Sequence, residues 1–414
     1  MKTVIINSSD IIGGAAIAGH HICQSLYKYS DVEAYILCGD KTSNDHWVSS
    51  ILSKKLKLLE RIFNIIFIQT TISQDYWLPS RSKILNHPYL KDLDIINLHN
   101  VHGGYFSYPL IKKLSMIAPI VLTFHDMWYL TGHCGNSYDC DNWKTGCITC
   151  PHPDLYPKIS YDNAHFHWKQ KKDIYKQSRL KVVTCPSKWM QNKIKESPLF
   201  ENIKVCQIFN SIDTDTLRPI DKIIIREVLD LPKGKNIICF GASDISDPGK
   251  GFNLFLESLS KDFIVNNDIF LVVMGIDPRN NISNIPDYLP YKYFGFINND
   301  IFKSLVYNSA DVFIFPTQAD NMPNMLVETM SCGVAPITFD VGGCGEIVVN
   351  GQTGYLAVKN DYRDFNNGIS TILHDEQLRK RLSENCRKFA LENFTFKVCA
   401  EKYSQVYKEA INNK

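Results

Sequence analysis

No run of about 18 apolar residues occurs in this 414-residue chain, so its sequence offers no membrane-spanning helix. Net charge is nearly absent as well. The 45 Lys and Arg stand against 43 Asp and Glu, a formal +2. With no nucleic-acid-binding module legible, that balance sets aside a nucleic-acid partner. Low-complexity tracts and internal repeats are missing. Charged residues make up 21% against 44% hydrophobic, which excludes a disordered chain. The opening Met1-Lys2-Thr3-Val4-Ile5-Ile6-Asn7 lacks the charged and then long apolar pattern of an export signal and reads as a strand. The 13 cysteines are an odd number, mostly set inside apolar segments. The expectation is a cytoplasmic protein with reduced thiols.

What is present is regular. Apolar runs of four to seven residues alternate with helix-period segments. The early runs are Thr3–Asn7, Ala34–Leu37, Ile95–His99, Ile120–Phe124, Val182–Cys185 and Val205–Phe209. Continuous apolar strands alternating with helices predict a parallel sheet covered on both faces. The pattern restarts with strands at Asn236–Phe240, Ile269–Met274, Tyr291–Phe296, Val312–Pro316 and Ala335–Phe339. Helices are expected at Gly251–Leu259, Ile301–Ser309 and from Asn324, and three more over 361–412. Asp213–Lys235, with Pro219 and Pro232, reads as a connector. The predicted architecture is α/β: a Rossmann-like domain over 1–209, a second over 210–394, and a C-terminal helix over 395–414 packing back on the first. Two such sheets predict a ligand cleft between their strand ends. Charge is uneven between the halves. Residues 1–205 hold 24 Lys and Arg against 17 Asp and Glu, about +7, and the remainder is about −5. A mildly basic first half suits an anionic partner or membrane surface.

Several local patterns carry chemistry. Gly13-Gly14-Ala15-Ala16 follows the first strand, where a glycine pair lets backbone amides approach a phosphate, or makes a tight turn for packing alone. Asp247-Pro248-Gly249-Lys250-Gly251 places a lysine before a helix, where it offsets a leaving diphosphate or stays a solvated surface charge. In Asp320-Asn321-Met322-Pro323-Asn324-Met325-Leu326-Val327-Glu328, two acids are separated by seven residues. Pro323 suits a first helical turn, and the amides near Asn324, Met325 and Leu326 suit an anion. The plainer reading is a capping acid and a solvated glutamate.

Taken in order, these pieces resemble a retaining glycosyltransferase of family 4 with the GT-B fold. The resemblance runs through Gly13-Gly14-Ala15, Thr123-Phe124-His125-Asp126, Asn210-Ser211-Ile212-Asp213 and Lys250-Gly251-Phe252. It continues through the acid-seven-acid stretch ending Glu328-Thr329-Met330-Ser331-Cys332-Gly333, then Gly342-Gly343 and Asn350-Gly351-Gln352-Thr353-Gly354. It spans nearly the whole chain and implies two domains facing a central cleft. It also implies transfer of a sugar from a nucleotide-diphosphate sugar to a glycan or lipid-linked acceptor, in bacterial surface polysaccharide synthesis. By that resemblance Glu328 holds the ribose and Asp320 contacts the donor sugar. Lys250 and the Gly14 amide bind the diphosphate, and His125 sits by the donor sugar. The chain departs from the family at Ala242-Ser243, where an Arg is usual, leaving Arg279 or another residue to supply that charge. It departs also at Asp320, which stands for the commoner Glu, and at Asn210-Ser211 for Asn-Gly. No catalytic cofactor is expected. Asp-x-Asp pairs at Asp92/Asp94, Asp139/Asp141 and Asp213/Asp215 lie outside the donor segments. A sugar-nucleotide epimerase of the same fold and a non-catalytic sugar-nucleotide binder are the alternatives.

Three further features stand apart. Cys134, Cys140, Cys147 and Cys150 fall within a glycine-bearing loop, 132–151, with little apolar content of its own. Four thiols so spaced predict a structural zinc, with disulfides or inert thiols as alternatives. His99, His102 and Asp126 are candidates for acceptor contact or are ordinary buried polar groups. Lys54–Ile68 is basic and then apolar, which suits peripheral contact with the inner face of the plasma membrane or an ordinary core helix.

Overall fold

The computed structural model describes residues 1–51, 79–102 and 104–412. Lys54–Ile68 lies outside the described residues. The chain forms two compact units, Met1–Asn210 with Phe396–Lys414, and Ser211–Thr395.

The first unit is built on a parallel sheet of β1 (Lys2–Ser9), β2 (Glu33–Asp40), β3 (Val48–Ser50), β4 (Ile95–Leu98), β5 (Ile120–Thr123), β6 (Leu180–Cys185) and β7 (Lys204–Gln207), in the order β3-β2-β1-β4-β5-β6-β7. Alternate side chains feed opposite faces, as strand geometry requires. Ile5, Ile95, Val121 and Val182 join one apolar cluster with Ile22 and Leu26 of the helix Gly14–Tyr29. Val4, Ile6, Ile96, Leu98, Leu122 and Val183 join the other. Burial on both faces is why these strands read as unbroken apolar runs. The helix Phe396–Asn412 covers the first face with Cys399, Tyr403 and Tyr407. Asn97 Nδ2 donates to the Tyr407 hydroxyl at 2.8 Å.

The second unit holds β8 (Asn236–Asp244), β9 (Ile269–Ile276), β10 (Tyr291–Tyr293), β11 (Val312–Phe315), β12 (Ala335–Phe339) and β13 (Tyr355–Ala357), all parallel, in the order β10-β9-β8-β11-β12-β13. Each sheet reverses its winding once, between β1 and β4 and between β8 and β11. Beyond the carboxyl ends of strands flanking such a reversal, the crossover loops diverge and leave room for a ligand.

The stretch Asp213–Lys235 is more than a connector. It carries the helix Lys222–Val228, whose N-terminus is capped by the Asp221 side chain. Arg226 and Lys222 of that helix grip buried Asp311 at 2.6 and 2.7 Å, and Asp311 also accepts from the Ile237 amide at 2.8 Å. Prolines at both borders masked the helix in sequence. Two of the four edge strands, β3 and β13, also escaped the reading, being three residues long and only partly buried.

Candidate functional site

In the first unit, the predicted residues gather at the β1/β4 reversal. Gly13 has φ 92° and no atom within 4 Å of where a Cβ would stand, so the turn into the helix Gly14–Tyr29 is glycine by backbone need and open above. Asn7, near the end of β1, ties this turn down by donating from Nδ2 to the Ala15 carbonyl at 3.0 Å. His99 follows β4 and is fully buried. Its Nδ1 lies 2.8 Å from His125 Nε2 at the end of β5. His102 Nε2 lies 2.9 Å from Asp126 Oδ2, whose other oxygen accepts from the Trp128 amide at 2.9 Å. Burial lowers the His125 pKa to about 4 and holds that of His99 well below its ordinary value, so both rings are neutral at pH 7. Burial acts to raise Asp126, but His102 and the Trp128 amide outweigh it and hold the carboxyl below its ordinary value. His99, His102, His125 and Asp126 are therefore two hydrogen-bonded pairs, which residue spacing alone did not disclose.

At the β8/β11 reversal of the second unit, Lys250 Nζ lies 2.8 Å from Asp320 Oδ2. The neighbouring carboxylate raises the Lys250 pKa, keeping it a cation. The backbones around this pair interlock closely. A Cβ on Gly251 (φ +73°) would stand 2.0 Å from the Pro316 carbonyl, and one on Gly342 (φ +57°) 1.8 Å from the Asp320 carbonyl. The Gln318 amide donates to the Gly249 carbonyl at 2.8 Å, and the Gly343 amide to that of Asp320 at 3.0 Å. The helix Asn324–Ser331 starts four residues beyond Asp320, with Asn324 and Met325 in its first turn. The Leu326 side chain is fully buried, and its amide bonds the Pro323 carbonyl at 3.2 Å.

Glu328 sits in a separate polar cradle. It is 4% exposed, Tyr307 donates to its Oε2 at 2.7 Å, and Lys303 reaches Oε1 at 3.3 Å. Lys303 also bridges to Asp300 at 2.7 Å. Burial works against the Lys303 charge, but the Glu328 and Asp300 carboxylates prevail and raise its pKa. Neither Lys303 nor Tyr307 stood out in the sequence. The available signal was their four-residue spacing, which puts both on one face of the helix Asp300–Ser309. Arg279 is exposed, and its guanidinium contacts the Ser246 carbonyl at 3.4 Å.

The thiol loop follows Asp126 in the first unit. The Gly132 amide donates to Cys147 Sγ at 3.2 Å, and His133 Nε2 lies 3.1 Å from Cys150 Sγ. Burial pushes Cys134 up to about 11 and Cys147 up to about 12. None of the 13 cysteines forms a disulfide. Among the described residues no three His, Cys, Asp or Glu side chains stand together as a metal site. The loop does have an apolar anchor, contrary to the sequence reading. Trp143 is fully buried, and its carbonyl accepts from Trp168 Nε1 at 3.1 Å. Buried Lys171 secures the loop entrance, bonding the Trp128 and Thr131 carbonyls with its ammonium over the Trp128 ring. No described helix is long and apolar enough to cross a membrane.

The profile of the family described as "Glycosyltransferase Family 4" matches residues 12–216, and that of "Glycosyl transferases group 1" matches 221–389. A putative colanic acid biosynthesis glycosyl transferase of Escherichia coli is 25% identical over 271 residues, 61% of this chain and 62% of that protein. The N,N'-diacetylbacillosaminyl-diphospho-undecaprenol alpha-1,3-N-acetylgalactosaminyltransferase of Campylobacter jejuni is 28% identical over 167 residues, 40% of this chain and 43% of that one. The chain thus spans less than two thirds of the length of these relatives. Anabaena Alr3699/HepE, solved with UDP and glucose, shares the fold at TM-score 0.66 and 14% identity, over 99% of both chains. WaaG, a glycosyltransferase involved in lipopolysaccharide biosynthesis, does so at 0.66 and 14%, over 100% of both.

Proposed function

The chain belongs to the family 4 glycosyltransferases of GT-B fold, and from that membership we propose that it moves a glycosyl group, with retention, from a nucleotide-diphosphate sugar to a glycan or lipid-linked acceptor. The carrying observation is the Lys250–Asp320 pair, fixed by glycine-dependent backbone contacts beside a helix start at the strand reversal. When the bond from the anomeric carbon to the phosphate oxygen breaks, its electrons stay on the diphosphate. Lys250 and the first-turn amides at Asn324 and Met325 are suited to receive that charge, and the Gly14 amide serves the same end. The acceptor hydroxyl oxygen forms the new bond to the anomeric carbon, and its proton passes to the departing phosphate. Asp320, already oriented by Lys250, would take donor-sugar hydroxyls. Glu328, held by Tyr307 and Lys303, would accept from the ribose. His125 would face the donor sugar, with Asp126 and His102 toward the acceptor.

The relatives' roles in polysaccharide and lipid-linked glycan assembly support placing this activity at the inner face of the plasma membrane. The chemistry asks for no metal at the donor. A structural zinc on Cys134, Cys140, Cys147 and Cys150 is a second proposal. It is favoured by the Gly132 amide already donating to Cys147 sulfur, a contact that suits a thiolate, and it requires the four sulfurs to draw together. The test of function is release of nucleoside diphosphate from a panel of sugar nucleotides with and without acceptor. Transfer predicts release that depends on acceptor. Conversion of the sugar nucleotide without an acceptor would mark an epimerase, and ligand binding without either would mark a non-catalytic binder.

A further inference from the structure

His99 is confined on every side. Its amide donates to the Ile6 carbonyl at 2.9 Å, and its own carbonyl accepts from the Tyr129 hydroxyl. The helix Gly14–Tyr29 passes so close that a Cβ on Gly19 would stand 3.3 Å from the ring Nδ1 and 2.9 Å from Asn7 Nδ2. Among the described residues, a ring held this firmly has one polar contact, His125 Nε2 at 2.8 Å. Its other nitrogen, Nε2, is buried and has no hydrogen-bond partner among the described residues.

Two neutral imidazoles joined nitrogen to nitrogen share one proton in that contact, and which ring donates it sets both tautomers. Suppose His125 donates. Then His99 must carry its own proton on Nε2, an N–H sealed away without an acceptor. Suppose instead that His99 donates from Nδ1. Then its Nε2 keeps only a lone pair, and His125 carries its proton on Nδ1. A buried orphan N–H loses its full hydration, whereas an unmet acceptor is tolerated more readily. Protonating either ring is opposed by burial. The charges facing His125 from neighbouring elements, Asp126 favouring protonation and His102 opposing it, do not overcome that.

We propose that His99 is a positioning residue that donates from Nδ1 to His125 Nε2, fixing half-buried His125 as the neutral Nδ1–H tautomer and so as a hydrogen-bond donor toward a sugar oxygen. The tautomer stands on the geometry alone; its use on a sugar oxygen rests on His125 facing the donor sugar, as read above. His125 is then a neutral donor and carries no proton to or from the substrate.

The experiment uses the full chain with its 12 histidines labelled with 15N, and long-range proton–nitrogen correlations at pH 7. His125 and His99 signals are assigned by their loss in His125→Gln and His99→Asn. Both rings should be protonated at Nδ1 only. A proton on His125 Nε2 would overturn the assignment. Kinetics supply the second readout. Asn places an amide N–H near the position of His Nδ1, so His99→Asn should keep kcat/KM within about threefold, while His99→Leu should lose roughly tenfold. Equal losses in the two variants would overturn donation by His99. The expected tautomer with unchanged kcat/KM in His99→Leu would overturn the sugar-facing placement of His125 instead.

Discussion

Lys250 is the residue on which the proposed chemistry leans most. Its ammonium is preset against Asp320 by loops that only glycine permits at 251 and 342, so little reorganisation is needed when charge develops. Lys250→Ala should raise the barrier by about 2–4 kcal/mol, by analogy with lost oxyanion donors, at unchanged melting temperature. Steady-state kcat at saturating donor checks this, and an unchanged rate would assign the role to another cation. The acids of the seven-residue spacing were legible because a proline-opened helix follows the first of them. Their partners were not. Tyr307 and Lys303 reach Glu328 from 21 and 25 residues earlier in the chain, and only the side-by-side packing of two helices brings them together. The histidines behave likewise, since His99 and His125 lie 26 residues apart and meet because β4 and β5 are adjacent strands.

At the scale of elements, strands were legible wherever both sheet faces are covered. Two short edge strands and a proline-bounded helix were not, because their stability comes from contacts remote in sequence. The helix Lys222–Val228 shows this best, for it is held by Asp311, 85 residues from Arg226. Asp311→Ala takes the counter-ion from buried Arg226, which keeps only carbonyl partners, and from partly exposed Lys222, and should cost about 3–5 kcal/mol, read as a fall in the melting transition. A loss under 1 kcal/mol would mean that water reaches the pair. The thiol loop is the other element open to test. Protein purified under reducing conditions should carry about one zinc per chain, and Cys147→Ser should lose it. Brief EDTA should leave transfer running, because the proposed donor chemistry places charge on Lys250 and backbone amides and not on a metal. Metal-free protein with an ordered loop would show that Trp143 and Lys171 suffice to hold it.

Across the whole molecule, buried neutral histidines set a pH limit. His99, His125, His133 and His167 all have lowered pKa values in the fold, chiefly through burial. In the unfolded chain they titrate near 6.5, so below that pH the unfolded state binds more protons than the folded one. Stability should therefore fall as pH drops from 6.5 toward 5, by up to about 1.4 kcal/mol per pH unit for each such ring. Carboxylates such as Asp311, held below 3.8, add their loss only at lower pH. Melting temperatures that stay level from pH 7 to 5 would contradict this. All four histidines lie in the first unit, so its transition should move first. That unit has a second peculiarity, because its sheet is covered by the helix Phe396–Asn412 from the far end of the chain. On a ribosome adding roughly 5–20 residues per second, the face formed by Ile5, Ile95 and Val121 waits on the order of 10–40 s for that cover after residue 210 has emerged. The half made first is thus finished last, and it is exposed to chaperones and proteases throughout the interval. A chain stopped after Thr395 should yield a second unit that resists protease and a first unit that is cut within its sheet. The reverse digestion pattern would mean that the terminal helix is dispensable to the half it covers.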